Sequence, residues 1–240
     1  MPRKAAQPSL SEQQAAPGGV GAVDRAISLL DVFTPDRPLL SLAELAEESR
    51  QYKSTVLRLL ASLTHSHVVK RHADGRFSLG STIPRLYAVY AGSFSMEGVL
   101  VPALRELVDV TRESAAYHIR QGSNRLCLYG VDSPQTIRDH TQVGMLMPIG
   151  KGAVGLVFSA FGKAPTAGRA VREPLVIAPT DLVREVAAIA APVFEASGAL
   201  AGVIALTMPA MRLQRKHGDE VLRIARKVTA DLGGRYPPVT

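Results

Sequence analysis

Two groups of residues in this 240-residue chain have types and spacings that could do chemistry. The first is Pro148–Gly155. Its core, Gly150-Lys151-Gly152-Ala153-Val154-Gly155, fits the G-x-G-x-x-G pattern with which a tight turn offers backbone amides to a pyrophosphate. The second is Arg50, Gln51, Lys53, Ser54, Thr55 and Arg58, joined further on by Lys70, Arg71 and Arg76. Between Ser49 and Arg76, six Lys and Arg are opposed by Asp74 alone. Arginine can fork onto guanine and glutamine can pair with adenine in a major groove. Hydroxyls and helix N-terminal amides suit phosphate oxygens.

The basic group needs a helix that buries one stripe and presents the other. Lys53–His65 supplies one, with Val56, Leu59, Leu60 and Leu63 facing inward. Before it, Ser41-Leu42-Ala43-Glu44 forms a capping box that opens a short helix, and residues 48–52 break it. An earlier helix places Val23, Ile27, Leu30 and Phe33 on one face and ends at Pro35 and Pro38. Beyond His65, Val68 and Val69 run into Asp74-Gly75, a hairpin turn signal, and Phe77 and Leu79 alternate on the return strand. Three helices and a hairpin make a winged helix-turn-helix.

The glycine group has weaker surroundings. Val154–Phe161 can begin a helix and Glu173 stands at the distance of a ribose-binding acid. Pro148 nevertheless cuts the preceding strand, and no clear parallel strand follows. A nucleotide-cofactor enzyme using Gly150–Gly155 is therefore only the alternative. The expected roles are loop formation with close packing, or a backbone approach to a small effector. No cofactor, catalytic residue or metal ligand is expected. His65, His67 and His72 lack acidic or cysteine partners in the pattern. Cys127, the single cysteine, alternates with apolar neighbours and reads as a core thiol.

The rest of the chain is mixed α and β. Ile83, Leu86, Tyr87, Tyr90 and Phe94 stripe a linker helix whose apolar surface calls for a second copy. Pro102 opens a further helix. Residues 115–131 form a hairpin, 188–194 and 199–208 form buried strands, and Asp219–Leu232 closes the chain as an amphipathic helix. Residues 162–185 are hard to assign, and Arg212–His217 form a basic, solvated patch. The expected divisions are a disordered arm over 1–19, a DNA-binding domain over 20–80, a linker helix over 81–95 and a second domain over 96–236.

Net charge is +7, which agrees with a polyanionic partner, and one cysteine excludes an internal disulfide framework. No apolar stretch suggests a signal peptide or a membrane span, so a cytoplasmic location is expected.

Residues 23–79 resemble the IclR family of bacterial transcriptional regulators. The motifs are Ala22–Ile27, Leu40–Ala46, Lys53–Val56, Arg58–Leu60 and Asp74–Gly80. Gly144–Ala160 and Ile189–Phe194 resemble, more weakly, pieces of its effector domain. The resemblance implies an α+β architecture: an N-terminal winged helix-turn-helix, a linker helix and a shortened GAF/profilin-like antiparallel-sheet domain. It implies a homodimer or homotetramer on double-stranded DNA, with effector contacts at Gly152, Ala153, Val154, Ala188, Ala205 and Thr207. The chain departs from the family at several points. The turn Ser49-Arg50-Gln51-Tyr52 has no glycine, and Ala188, Ala205, Thr207 and Gly150 replace common polar residues. The remaining lining would be mostly apolar, which suits a hydrophobic effector or an effector-independent regulator.

Overall fold

The computed structural model describes residues 9–13, 15–93, 96–140, 142–162, 176–179 and 185–237. It divides into two compact units, Met1–Ser93 and Phe94–Thr240.

The first unit begins with one turn of helix, α1 (Leu10–Gln13), where a disordered arm was expected. Ser11 is buried and the Leu10 amide reaches the Ser49 carbonyl at 3.4 Å. Residues 1–8 and 14 of that arm lie outside the described residues, and 15–19 are exposed. Next come α2 (Gly21–Leu30), α3 (Leu42–Glu48), α4 (Lys53–His65), strands β1 (Val69–Arg71) and β2 (Phe77–Leu79), and α5 (Thr82–Ser93). The Ser41 capping box is formed: its hydroxyl accepts from the Glu44 amide while the Glu44 carboxylate accepts from the Ser41 amide.

The core of this unit is Leu29, Val32, Leu40, Leu45, Val56, Leu60, Val69 and Phe77. It departs from expectation in α2. Val23 and Ile27 are more than half exposed, and Ser28 and Leu29 take the inward face. The other two residues of the expected stripe, Leu30 and Phe33, still pack against this core. Leu79 is likewise exposed while Phe77 is buried.

The second unit contains α6 (Met96–Thr111), β3 (Ser114–Gln121), β4 (Asn124–Val131), β5 (Leu146–Pro148), α7 (Gly152–Phe161), β6 (Val176–Pro179), β7 (Val186–Phe194), β8 (Leu200–Pro209), a short 3-10 turn (Ala210–Arg212) and α8 (Arg215–Asp231). Six strands form one antiparallel sheet in the order β5-β4-β3-β8-β7-β6. On one face α6 and α8 bury Tyr117, Ile189, Val193, Ile204, Leu206 and Met208. On the other, α7 covers Ala188, Ala190, Val203 and Ala205. Cover on both faces explains why β7 and β8 read as continuous apolar runs rather than alternating ones.

Three expectations change here. Pro102 lies inside α6, so the helix continues through it although the Gly98 carbonyl loses its helical donor. Pro148 ends β5, an edge strand, where a missing N–H costs the ladder little. Within 212–217, Leu213, Gln214, Arg215 and Lys216 are exposed as expected, and the two ends depart from a solvated patch. Arg212 makes two 2.7 Å contacts with the buried Glu113 carboxylate, and the buried His217 caps α8 together with Gln214.

Candidate nucleic-acid interface

The break between α3 and α4 is built by backbone bonds. The Gln51 amide donates to the Ala46 carbonyl and the Arg50 amide to the Glu47 carbonyl, both at 3.0 Å. This pattern closes a helix through a left-handed residue, usually glycine. Here that residue is Arg50, at φ +54°. The buried Ser49 hydroxyl donates to the Leu45 carbonyl at 2.6 Å and fixes the same turn.

Helix α4 then starts with no acidic residue in its first turn and no side-chain cap on its Tyr52 N-cap. Its first amides are left for an outside acceptor, and the helix dipole favours an anion there. Lys53, Ser54, Leu57, Arg58 and Ala61 are exposed along one side, while Val56 and Leu60 fill the core. Thr55 is partly covered, at the edge of that face.

Gln51 behaves differently from its expected role. Its amide nitrogen donates to the Arg25 carbonyl at 3.1 Å and to the Ser28 hydroxyl at 3.2 Å, fastening the turn to α2. That employs the donor a base edge would need. In the hairpin, Lys70, Arg71 and Arg76 are exposed. Arg76 is held at the tip by Asp74 at 2.7 Å, and Arg71 lies over the Phe77 ring at 5.9 Å. His72 bonds Ser78 at 2.9 Å, and no metal-holding group of His, Cys, Asp and Glu occurs among the described residues.

In the second unit the glycine motif has a packing explanation. Gly152 opens α7 at φ +66°, and a Cβ on Gly155 would collide with the Ile149 carbonyl. Strand β5 pairs antiparallel with β4, so no β-α-β unit surrounds the motif. Glu173 lies outside the described residues. Ala153, Val154, Ala188 and Ala205 are buried in one cluster, and the Thr207 hydroxyl is buried without a partner among the described residues.

Beside them is a polar group that the sequence reading missed. Arg125 is 7% exposed and His118 is 5% exposed. Strand register puts His118 opposite Cys127, on the same sheet face as Ala116 and Ala205. Arg125 donates to the Lys151 carbonyl, just before α7, at 3.2 Å. Its Nε and the His118 Nδ1 have no partner among the described residues. Burial pushes the His118 pKa down to about 3, so the ring is neutral, and pushes the Cys127 thiol up to about 12. The clue was present: Arg125 stands two residues before Cys127 on one strand and so shares its buried face. Two polar side chains, Arg125 and His118, thus stand buried beside an otherwise apolar cluster. A buried arginine without an acid beside it costs several kcal/mol by order of magnitude unless an anion compensates it.

Residues 22–73 match the IclR helix-turn-helix domain model. The chain is 27% identical over 131 residues to the transcriptional regulator KipR of Bacillus subtilis, an alignment covering 55% of this chain and 52% of that protein. It thus spans about half the length of that relative. It is 25% identical over 250 residues to the regulator BhcR of Paracoccus denitrificans, covering 91% of this chain and 89% of the other. Its fold is similar to that of an IclR homologue from Microbacterium hydrocarbonoxydans solved in complex with 4-hydroxybenzoate. The TM-score is 0.75 at 16% identity, covering 88% of this chain and 98% of that one.

Proposed function

We propose that the chain, whose residues 22–73 match the IclR helix-turn-helix domain model, is a sequence-specific, DNA-binding transcriptional regulator of that family. The observation that carries this reading is the uncapped, acid-free start of α4 on an exposed face that bears Lys53, Ser54 and Arg58. Residues 20–80 act as the DNA-binding domain, 81–95 as the linker and 96–236 as the effector and assembly domain. Arg50, Lys53, Ser54, Thr55 and Arg58 meet the major groove, and Lys70, Arg71 and Arg76 meet the backbone. Gln51 acts by holding the turn. The protein works in the cytoplasm, as a homodimer or a dimer of dimers. Exposed Val23 and Ile27 on α2 and Leu86 on α5 support pairing with a second copy. Half-sites then lie ~34 Å apart, or a multiple of that.

The test is selection from a random DNA duplex pool, followed by binding at several salt concentrations. Enrichment of a palindrome with one-turn spacing supports the reading. Salt-sensitive binding without enrichment leaves only a basic surface and defeats it.

A second element of the reading concerns control. Arg125 and His118 favour an effector with an anionic group, held where α7 begins, over an effector-independent regulator. Gly152, Ala153, Val154, Ala188, Ala205 and Thr207 then bound the remainder of the ligand. The Microbacterium protein's bound hydroxybenzoate agrees with that chemistry. Such a ligand shifts the spacing of two DNA-binding heads only by preferring one arrangement. Benzoate raising the melting temperature where benzamide does not, with the effect absent in Arg125→Met, is the expected result.

A further inference from the structure

We propose that Leu57 reads the 5-methyl group of a thymine in each half-site, and so sets sequence preference where no hydrogen bond does. This rests on the DNA-binding reading of α4.

One stripe on the exposed side of α4 holds Lys53, Ser54, Leu57, Arg58 and Ala61. These positions run i, i+1, i+4, i+5, i+8, the spacing of one helical face. Leu57 lies in the middle of it. Lys53 and Ser54 are one turn before it, Ala61 is one turn after it, and Arg58 is adjacent. Leu57 is 51% exposed, although the same helix carries three other leucines, Leu59, Leu60 and Leu63, that are partly or wholly buried. Nothing in the core of this unit uses Leu57. Its neighbours are cationic, hydroxylated or small, all suited to phosphate and base edges. An apolar side chain among them has one apolar feature to meet in a major groove, the thymine methyl. Every other group that the base edges present there is a donor or an acceptor. Ala61 is small enough to leave room for that contact one turn further on.

The experiment uses the full-length protein and the operator recovered by selection. Each thymine in a half-site is replaced in turn by uracil, which removes the methyl and leaves every hydrogen-bonding group in place. Wild type should lose affinity about fourfold at one thymine per half-site, the equivalent of one methyl-sized burial. Leu57→Ala should bind the thymine operator about fourfold more weakly and show no thymine–uracil difference at that position. Leu57 is exposed, so the variant should fold, and an unchanged melting temperature checks that. Wild type indifferent to uracil at every position, on an operator it still selects, overturns the proposal and leaves the regulator reading intact. A thymine–uracil difference that survives in Leu57→Ala overturns it as well. Failure to enrich any sequence removes the operator and defeats both.

Discussion

Arg50 stands at φ +54° in the position where a helix end normally takes glycine. A left-handed arginine is strained by about 1–2 kcal/mol, and glycine recovers that less its own chain entropy. Arg50→Gly should therefore stabilise the first unit by roughly 0.5–1 kcal/mol in urea unfolding. The same change should weaken DNA binding, because a cation leaves the groove. Retention of arginine at a strained site is then a balance between the two. His118 makes a second prediction. Its pKa is about 3 in the fold, against an ordinary 6.5, so the unfolded chain binds the extra proton. Stability is complete above pH 6.5 and falls as pH drops below it, by about 1.4 kcal/mol per unit from this residue. His118→Phe should flatten that slope in denaturation series at pH 7, 6 and 5. At this scale the sequence was only partly legible. The exposed cations of α4 and the hairpin could be named from type and spacing. The inward use of Gln51 could not, because the Arg25 carbonyl it bonds belongs to another helix.

Elements were easier to read than their faces. Ser41 and Glu44 announced α3, and both bonds of the capping box are made. Ser41→Ala should lower stability by about 1 kcal/mol, measured as a shift in urea midpoint with unchanged slope. Asp74-Gly75 announced the hairpin, and the alternation around Cys127 announced β3 and β4. Proline misled twice, because its costs depend on what surrounds it. Pro102 sits within a helix braced on the sheet through Leu100, Leu104 and Leu107, and Pro148 sits on an edge. The inward face of α2 was read only in part, because Leu30 packs inward as expected while Val23 and Ile27 give way to Ser28 and Leu29. Only the neighbours of α2 could choose. For α7 the glycines are explained by packing, so Gly155→Ala should destabilise by roughly 1–3 kcal/mol through its clash with the Ile149 carbonyl. Calorimetry reads that change directly.

For the whole molecule, charge governs association. Each phosphate contact contributes about 0.9 to the slope of log affinity against log salt. Arg76→Ala should lower both affinity and slope by about one such contact, and Arg58→Ala should weaken binding at low salt. Arg76 is tethered to Asp74, so Asp74→Asn should free a cation and tighten binding at low salt, and anisotropy titrations test both. Family and architecture were legible because they rest on motifs local in sequence. The Arg125 and His118 pairing was not, because it depends on register between strands. Cys127 adds a practical consequence. It is the only thiol in the chain, it is buried, and it faces His118 across the sheet. The molecule thus carries its own clock for opening. The rate at which a disulfide reagent labels Cys127 measures how often this corner of the sheet unfastens, and a ligand resting on Arg125 would slow that clock.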